Sequence, residues 1–127
     1  MKKEKKSLTS IKILKTVFDL NNINRYPTSI AVNYILNGEI NEETILLKDL
    51  VTFSSLLSLK GRKFTTYITQ LVRHGYLKYF YVEGSFQKYL EITPSGKALL
   101  MNEESKRKIV YKKLRPKKEL EIYIKNK

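Results

Sequence analysis

Residues 60–93, KGRKFTTYITQLVRHGYLKYFYVEGSFQKYLEIT, contain the change of period on which the fold turns. In the first half, Phe64, Tyr67, Ile68, Leu71 and Val72 recur at helical spacing, which gathers their apolar side chains on one face. His74-Gly75 ends that helix, because glycine takes up the left-handed conformation of a helix end without steric cost. From there the period drops to two. Leu77, Tyr79 and Tyr81 alternate with Tyr76, Lys78, Phe80 and Val82. Beyond Glu83-Gly84-Ser85, the residues Phe86, Lys88, Leu90 and Ile92 share the parity of a returning strand. The spacing predicts a helix running into a β-hairpin, with an aromatic residue beside the turn.

On the N-terminal side, residues 1–6 form a basic arm. Ser7 or Thr9 caps a first helix whose stripe is Ile11, Leu14, Val17 and Phe18. Asn21-Asn22 weakens it and Arg25-Tyr26-Pro27 breaks it. Thr28 or Ser29 caps a second helix, with Ile30, Ala31, Tyr34 and Ile35 inward and Gly38 as the stop. Glu42 to Leu50 has Leu46, Leu47 and Leu50 at the spacing of a short helix. Val51 to Leu59 fits a further helical turn or a packed loop equally. On the C-terminal side, Thr93-Pro94 starts a last core helix that continues through Ala98, Leu99 and Leu100 and closes over the hairpin. Glu103 to Leu114 reads as a charged helix with a thin stripe of Ile109, Val110 and Leu114, interrupted at Arg115-Pro116. Leu120, Ile122 and Ile124 then alternate with Glu121 and Tyr123, a pattern that fits an edge strand, a short docking helix or a segment awaiting a partner. The fold class is therefore α+β, mainly α: a winged helix-turn-helix with a β-hairpin wing over residues 7–102, an arm at 1–6 and a basic C-terminal extension at 103–127.

At 127 residues the chain is long enough for one core plus tails. It has no cysteine, so it forms no disulfide framework and no thiolate metal site. No apolar run is long enough to span a bilayer, and the lysines at 2–6 lead into no signal-peptide core, so the expected location is the cytoplasm and no membrane partner is implied. The net charge of +13 is unevenly placed: the arm carries +3 and residues 106–127 carry +8. Within the middle, residues 60–88 are +5 while the rest of the middle is −3. A basic helix and hairpin on an acidic scaffold is the footprint of a polyanion partner, although lysine-rich tails also serve solubility alone.

No catalytic constellation accompanies this charge, so an enzyme is not expected. His74 is the single histidine and sits at a helix end, where a capping role fits it better than catalysis. Glu42-Glu43 and Glu103-Glu104 read as acidic residues near helix starts, and no third ligand completes a metal site with them. There is no GxxxxGK[ST] phosphate loop, and Gly61 with Arg62-Lys63 does not replace one. No cofactor is implied. Tyr34 and Tyr67 lie on inward stripes. Tyr79, Phe80, Tyr81 and Phe86 differ, because a two-stranded ribbon buries one face only and some of these rings must face outward.

The order of these signals resembles the RQC domain, the winged-helix module that follows the motor in RecQ-family DNA helicases. The matching pieces are IKILKTVFDLNN, AVNYILNGE, KFTTYITQLVRHGYL and YLEITPSGKALL, spanning roughly residues 8 to 101. The family usually has a basic residue and then serine around the glycine of the second piece, where Asn37 and Glu39 stand here. The motor is missing from the sequence, so the chain resembles the DNA-binding module standing alone or cut from a larger protein, with the Met1 start and the basic C-terminal tail favouring the former. The resemblance implies a role in DNA replication and repair, with duplex, forked or junction DNA as partner. It implies that the starts of the second and third helices face duplex phosphates, through Thr28 and Ser29 at one and Lys60, Arg62, Lys63 and Thr65 at the other. It also implies that the wing tip meets the end base pair and can part it, with Phe86 as the matching aromatic, Tyr81 across the hairpin, and Lys78 and Lys88 as flanking charges. For Phe86 the alternative is a ring folded back onto the wing. Two rival functions stand beside this one. A winged-helix transcription regulator needs a specific DNA site and usually a dimer interface, which Leu120 to Ile124 would supply. An adaptor would use the wing as a docking edge for a protein partner.

Overall fold

The computed structural model describes residues 7–39, 50, 52–55, 61–107, 109 and 111. The basic arm, residues 42–49 of the short helix expected over Glu42–Leu50, Lys60 and the segment from Leu120 to Ile124 lie outside the described residues. The element order is α1 (Leu8–Asn22), α2 (Ser29–Asn37), α3 (Gly61–Arg73), β1 (Leu77–Tyr81), β2 (Lys88–Ile92) and α4 (Pro94–Arg107). Among the described residues three helices precede an antiparallel hairpin and a fourth follows it, which is the winged-helix arrangement with the hairpin as wing.

α1 is the centre of the molecule. It packs against α2, α3, α4 and β2. Ile11, Ile13, Leu14 and Val17 have no exposed surface, and each burial of this kind stabilises by roughly 1.5–3 kcal/mol. They form the main core with Val32, Leu36, Phe64, Ile68, Leu71, Leu77, Leu90, Ile92 and Leu100. The apolar stripe expected on α1 is thus only part of its buried surface, because Lys12 and Thr16 are buried as well. The turn at residues 52–55 covers them. The Thr16 hydroxyl donates to the Lys12 carbonyl at 2.7 Å and lies 2.6 Å from the Thr52 hydroxyl, while the Lys12 ammonium donates to the Ser55 carbonyl. Burial pushes the Lys12 amine below the usual lysine range. The Ser-rich stretch around 52–55 is therefore a packed turn, with Phe53 completing a second cluster against Leu20 and Ile35.

Short-range signals set the helix boundaries. Ser7 caps α1 by accepting from the Ser10 amide, and Thr28 caps α2 by accepting from Ala31 at 3.2 Å. Gly38 closes α2 in the left-handed conformation at φ 71°, as expected. The Thr93 hydroxyl accepts from Gly96 at 3.0 Å and starts α4. Gly96 has no room for a side chain: a Cβ there would collide with the Tyr76 carbonyl and stand 2.8 Å from Ile92 Cγ1. α4 continues to Arg107, across the composition change at residue 102. Glu103 and Glu104 consequently lie in its last two turns and not near a helix start, and Glu104 accepts a hydrogen bond from Tyr111 at 2.9 Å. Ile109 and Tyr111 pack back onto the core.

The hairpin pairs Leu77 with Ile92, Tyr79 with Leu90 and Tyr81 with Lys88. Its outer margin on β2 is tied down by the turn before α2. The Leu90 amide donates to the Pro27 carbonyl at 2.8 Å, and the Asn21 side chain accepts from the Ile92 amide at 2.8 Å while donating to the Arg25 carbonyl at 2.9 Å. Asn21, read from sequence as a weak point of α1, lies inside the helix and anchors the wing. Among the described residues no helix is long and apolar enough to cross a membrane.

Candidate nucleic-acid interface

The start of α2 lies between the first turn of α3 and the start of β2. Ser29, Ile30 and Asn33 line one shallow recess with Phe64 and Thr65 of α3. Thr28, Ser29 and Ile30 line a second with Gln87 and Lys88 of the wing. Four residues expected from sequence to meet DNA, Thr28, Ser29, Thr65 and Lys88, therefore share one continuous face. Lys63 is exposed on the first turn of α3, and Arg62 belongs to the same turn.

The electrostatics of that turn favour an anion. Neither α2 nor α3 has an acidic residue in its first turn, although carboxylates are the side chains that complement a helix start. α3 instead opens with Gly61-Arg62-Lys63, cations beside the positive end of its own dipole. Such a start is unfavourable for the isolated helix and favourable for a helix meeting a phosphate, which accepts from the free amides and pairs with the lysine.

The wing divides the remaining expected residues between its faces. Leu77, Tyr79 and Tyr81 share a face with Lys88, Leu90 and Ile92. The inner end of this face is core, and its outer end is open. Tyr81 is 63 % exposed there, and the Lys88 ammonium lies 5.1 Å from the centre of the Tyr79 ring. Lys78 points the other way, pairs with Glu91 at 3.4 Å, and sits on the opposite face of the ribbon from Lys88. On that opposite face Phe80 meets Tyr26 edge-on at 4.9 Å and Tyr89 at 5.7 Å, so this ring is engaged in packing.

Phe86 stands in the loop and not on β2, which begins at Lys88. The loop is closed by the Ser85 amide donating to the Val82 carbonyl at 3.0 Å, with Gly84 left-handed at φ 86°. The Phe86 ring is fully exposed at the tip of the wing and is not folded back onto it. Tyr81 lies across the hairpin from Lys88, two residues further along than sequence parity placed it relative to Phe86.

The main departure from the sequence reading is Ile30. It was expected inward, yet it is 63 % exposed and lies between the two recesses. The buried face of α2 is Ala31, Val32, Ile35 and Leu36, and Val32 and Leu36 are the residues whose inclusion turns the helix away from Ile30. Ala98 is likewise exposed, while Leu100 carries the contact of α4 with the core. Among the described residues no group of acidic or histidine side chains is arranged to hold a metal ion.

Comparison with known proteins agrees with this architecture. The sequence model of the RQC domain family matches residues 4–119, nearly the whole chain. No curated protein and no solved structure matches significantly.

Proposed function

The chain belongs to the RQC domain family, a family of winged-helix DNA-binding modules, and on that premise we propose that it binds duplex ends, forks or junctions, with the helix starts on the backbone and the wing tip on the terminal base pair. The observation that carries the reading is the convergence of the α2 start, the α3 first turn and the outer end of the wing on one face, with a free aromatic ring beside it at the wing tip.

In this arrangement Thr28, Ser29, Thr65 and the exposed amides of both helix starts position the phosphates, and Lys60, Arg62, Lys63 and Lys88 supply the charge. Phe86, with Tyr81 behind it, stacks on the exposed pair and offsets part of the cost of unstacking it, on the order of 1–3 kcal/mol per stacked base. Lys78, on the far face and paired with Glu91, adds only to the general positive field. No chemical step is assigned to any residue. The module works by binding, in the setting of DNA replication or repair, and the basic arm and extension add sequence-independent attraction.

The test compares duplexes of one sequence, open-ended and capped at both ends by hairpins, with a fork and a single strand, each at two salt concentrations. Wild type is expected to prefer the open end and the fork. Phe86→Ala should lose about 1–3 kcal/mol on these while sparing the capped duplex, with unchanged melting temperature because the ring touches no core. Equal losses on capped and open duplexes, or none, would sink end recognition. A strong sequence preference on capped duplex would favour the transcription-regulator reading.

A further inference from the structure

Three aromatic rings gather on the wing outside the packed interior. Phe80 and Tyr89 stand directly opposite each other on β1 and β2 with ring centres 5.7 Å apart, and Tyr26 meets Phe80 edge-on at 4.9 Å. None of the three is part of the two hydrophobic clusters of the interior. Phe80 and Tyr89 are half-buried and Tyr26 is 37 % exposed, so ring surface stays open to water. The cluster reaches the wing tip, because the Tyr89 hydroxyl lies 3.3 Å from that of Ser85, the neighbour of Phe86. An aromatic patch of this kind marks a surface that a partner covers, and every nucleic-acid base has a π-face with which to cover it. The patch is also not anionic. Its carboxylate, Glu91, pairs with Lys78, and the exposed Arg25 precedes Tyr26.

Resting on the end- and fork-binding reading above, we propose that this face of the wing is a stacking platform for the single strand that leaves the duplex at the wing tip. The ribbon has two faces. One carries Lys88 and continues into the recess at the start of α2, on the side where the helix starts hold the duplex backbone. A strand parted from its complement at Phe86 leaves over the other, and the rings of Tyr89, Phe80 and Tyr26 are the surface it meets. Unpaired bases stack on such rings whatever their sequence. The pairing of Lys78 with Glu91 keeps the face close to neutral, so the attraction there is chiefly stacking. It therefore depends little on salt, unlike the phosphate contacts of the helix starts.

The experiment uses a DNA duplex closed at its far end by a hairpin, with the near end blunt or bearing an oligothymidine flap on one strand or the other, at two salt concentrations. With wild type, the flap on one of the two strands should tighten binding roughly tenfold over the blunt end, the effect of one stacked base, and the ratio should hold as salt is raised. Tyr26→Leu combined with Tyr89→Leu, which keeps apolar bulk and removes two of the rings, should bring that ratio close to one while blunt-end affinity stays within about twofold. Tyr89→Phe, which keeps the ring, should retain the ratio. A second measurement needs no variant: 5-iodouracil placed in the flap should cross-link to Tyr26 or Tyr89 under ultraviolet light. A flap that adds nothing with wild type, a gain that survives in the double variant or disappears at higher salt, or cross-links that miss both tyrosines would overturn the proposal while leaving end binding standing. A solution mass of two chains that falls to one in the double variant would also overturn it, by giving the face to a second copy. If wild type does not distinguish an open end from a duplex capped at both ends, the end-recognition reading falls and this inference falls with it.

Discussion

Single residues on this chain separate cleanly into those that hold the fold and those left free for a partner. Phe86 and Ile30 are exposed without packing reasons, whereas Lys12 is buried without a carboxylate partner among the described residues. Its ammonium meets the Ser55 carbonyl, and desolvation lowers its pKa in the folded protein. Between that lowered value and the ordinary one, the unfolded chain binds more protons than the folded chain, so stability rises with pH through the window and is flat below it. Lys12→Met removes the titrating group. The difference in unfolding free energy between wild type and Lys12→Met should therefore shift in favour of wild type as pH is raised from about 7 toward about 10, whatever its offset at neutral pH. Urea titrations across that range measure it, and a pH-independent difference would show that Lys12 titrates as a solvated amine.

Whole elements show which features the sequence makes legible and which it hides. Caps and stops are local chemistry, so Gly38 and Thr93 could be read directly and the caps narrowed to Ser7 or Thr9 and to Thr28 or Ser29, of which Ser7 and Thr28 cap. The hairpin followed from its period of two, and the helix before it from five apolar residues on one face. Facing was harder. The orientation of α2 depends on Val32 and Leu36 meeting α1 and α3, and leaving those two out of the stripe turned Ile30 inward. The ion pair of Lys78 with Glu91 depends on strand register, and the anchoring of β2 by Asn21 joins residues 71 apart in sequence, so neither is a local pattern. The first turn of α3 lies between these cases, since its charge was legible and its neighbours were not. Replacing Lys60, Arg62 and Lys63 together by Ala should weaken binding to all DNA sequences alike and flatten the salt dependence by about 0.9 log unit per lost phosphate contact. The same variant should melt no lower than wild type, because cations beside a helix start do not stabilise it. Unchanged affinity in the triple variant would move the phosphate contacts away from α3.

For the molecule as a whole, charge and packing do not end at the same place. The positive charge is concentrated toward the C-terminus, with residues 112–127 carrying seven basic and two acidic side chains. The packed body, however, continues past α4, because Ile109 and Tyr111 lie against the core and the Tyr111 hydroxyl donates to Glu104. Burial, together with that hydrogen bond, the Glu104 charge and the nearby Asp19, holds the phenol strongly in its protonated form, and burial raises the Asp19 carboxyl as well, so this corner is a desolvated acidic patch covered by a ring. Two truncations separate the functions of the tail. Ending the chain after Tyr111 should leave the melting temperature nearly unchanged while lowering affinity and the salt slope for every DNA, since only screened, sequence-independent attraction is removed. Ending it after Glu104 also removes the last three residues of α4 together with Ile109 and Tyr111, and uncovers the Asp19–Glu104 corner. Losing two partly buried apolar side chains should cost on the order of 2–4 kcal/mol, enough to lower melting by several degrees in a domain of this size. If both truncations melt with wild type, the segment after α4 contributes nothing to the body. If the truncation after Tyr111 already unfolds the domain, residues beyond 111 are part of the core and their charge cannot be assigned to DNA attraction alone.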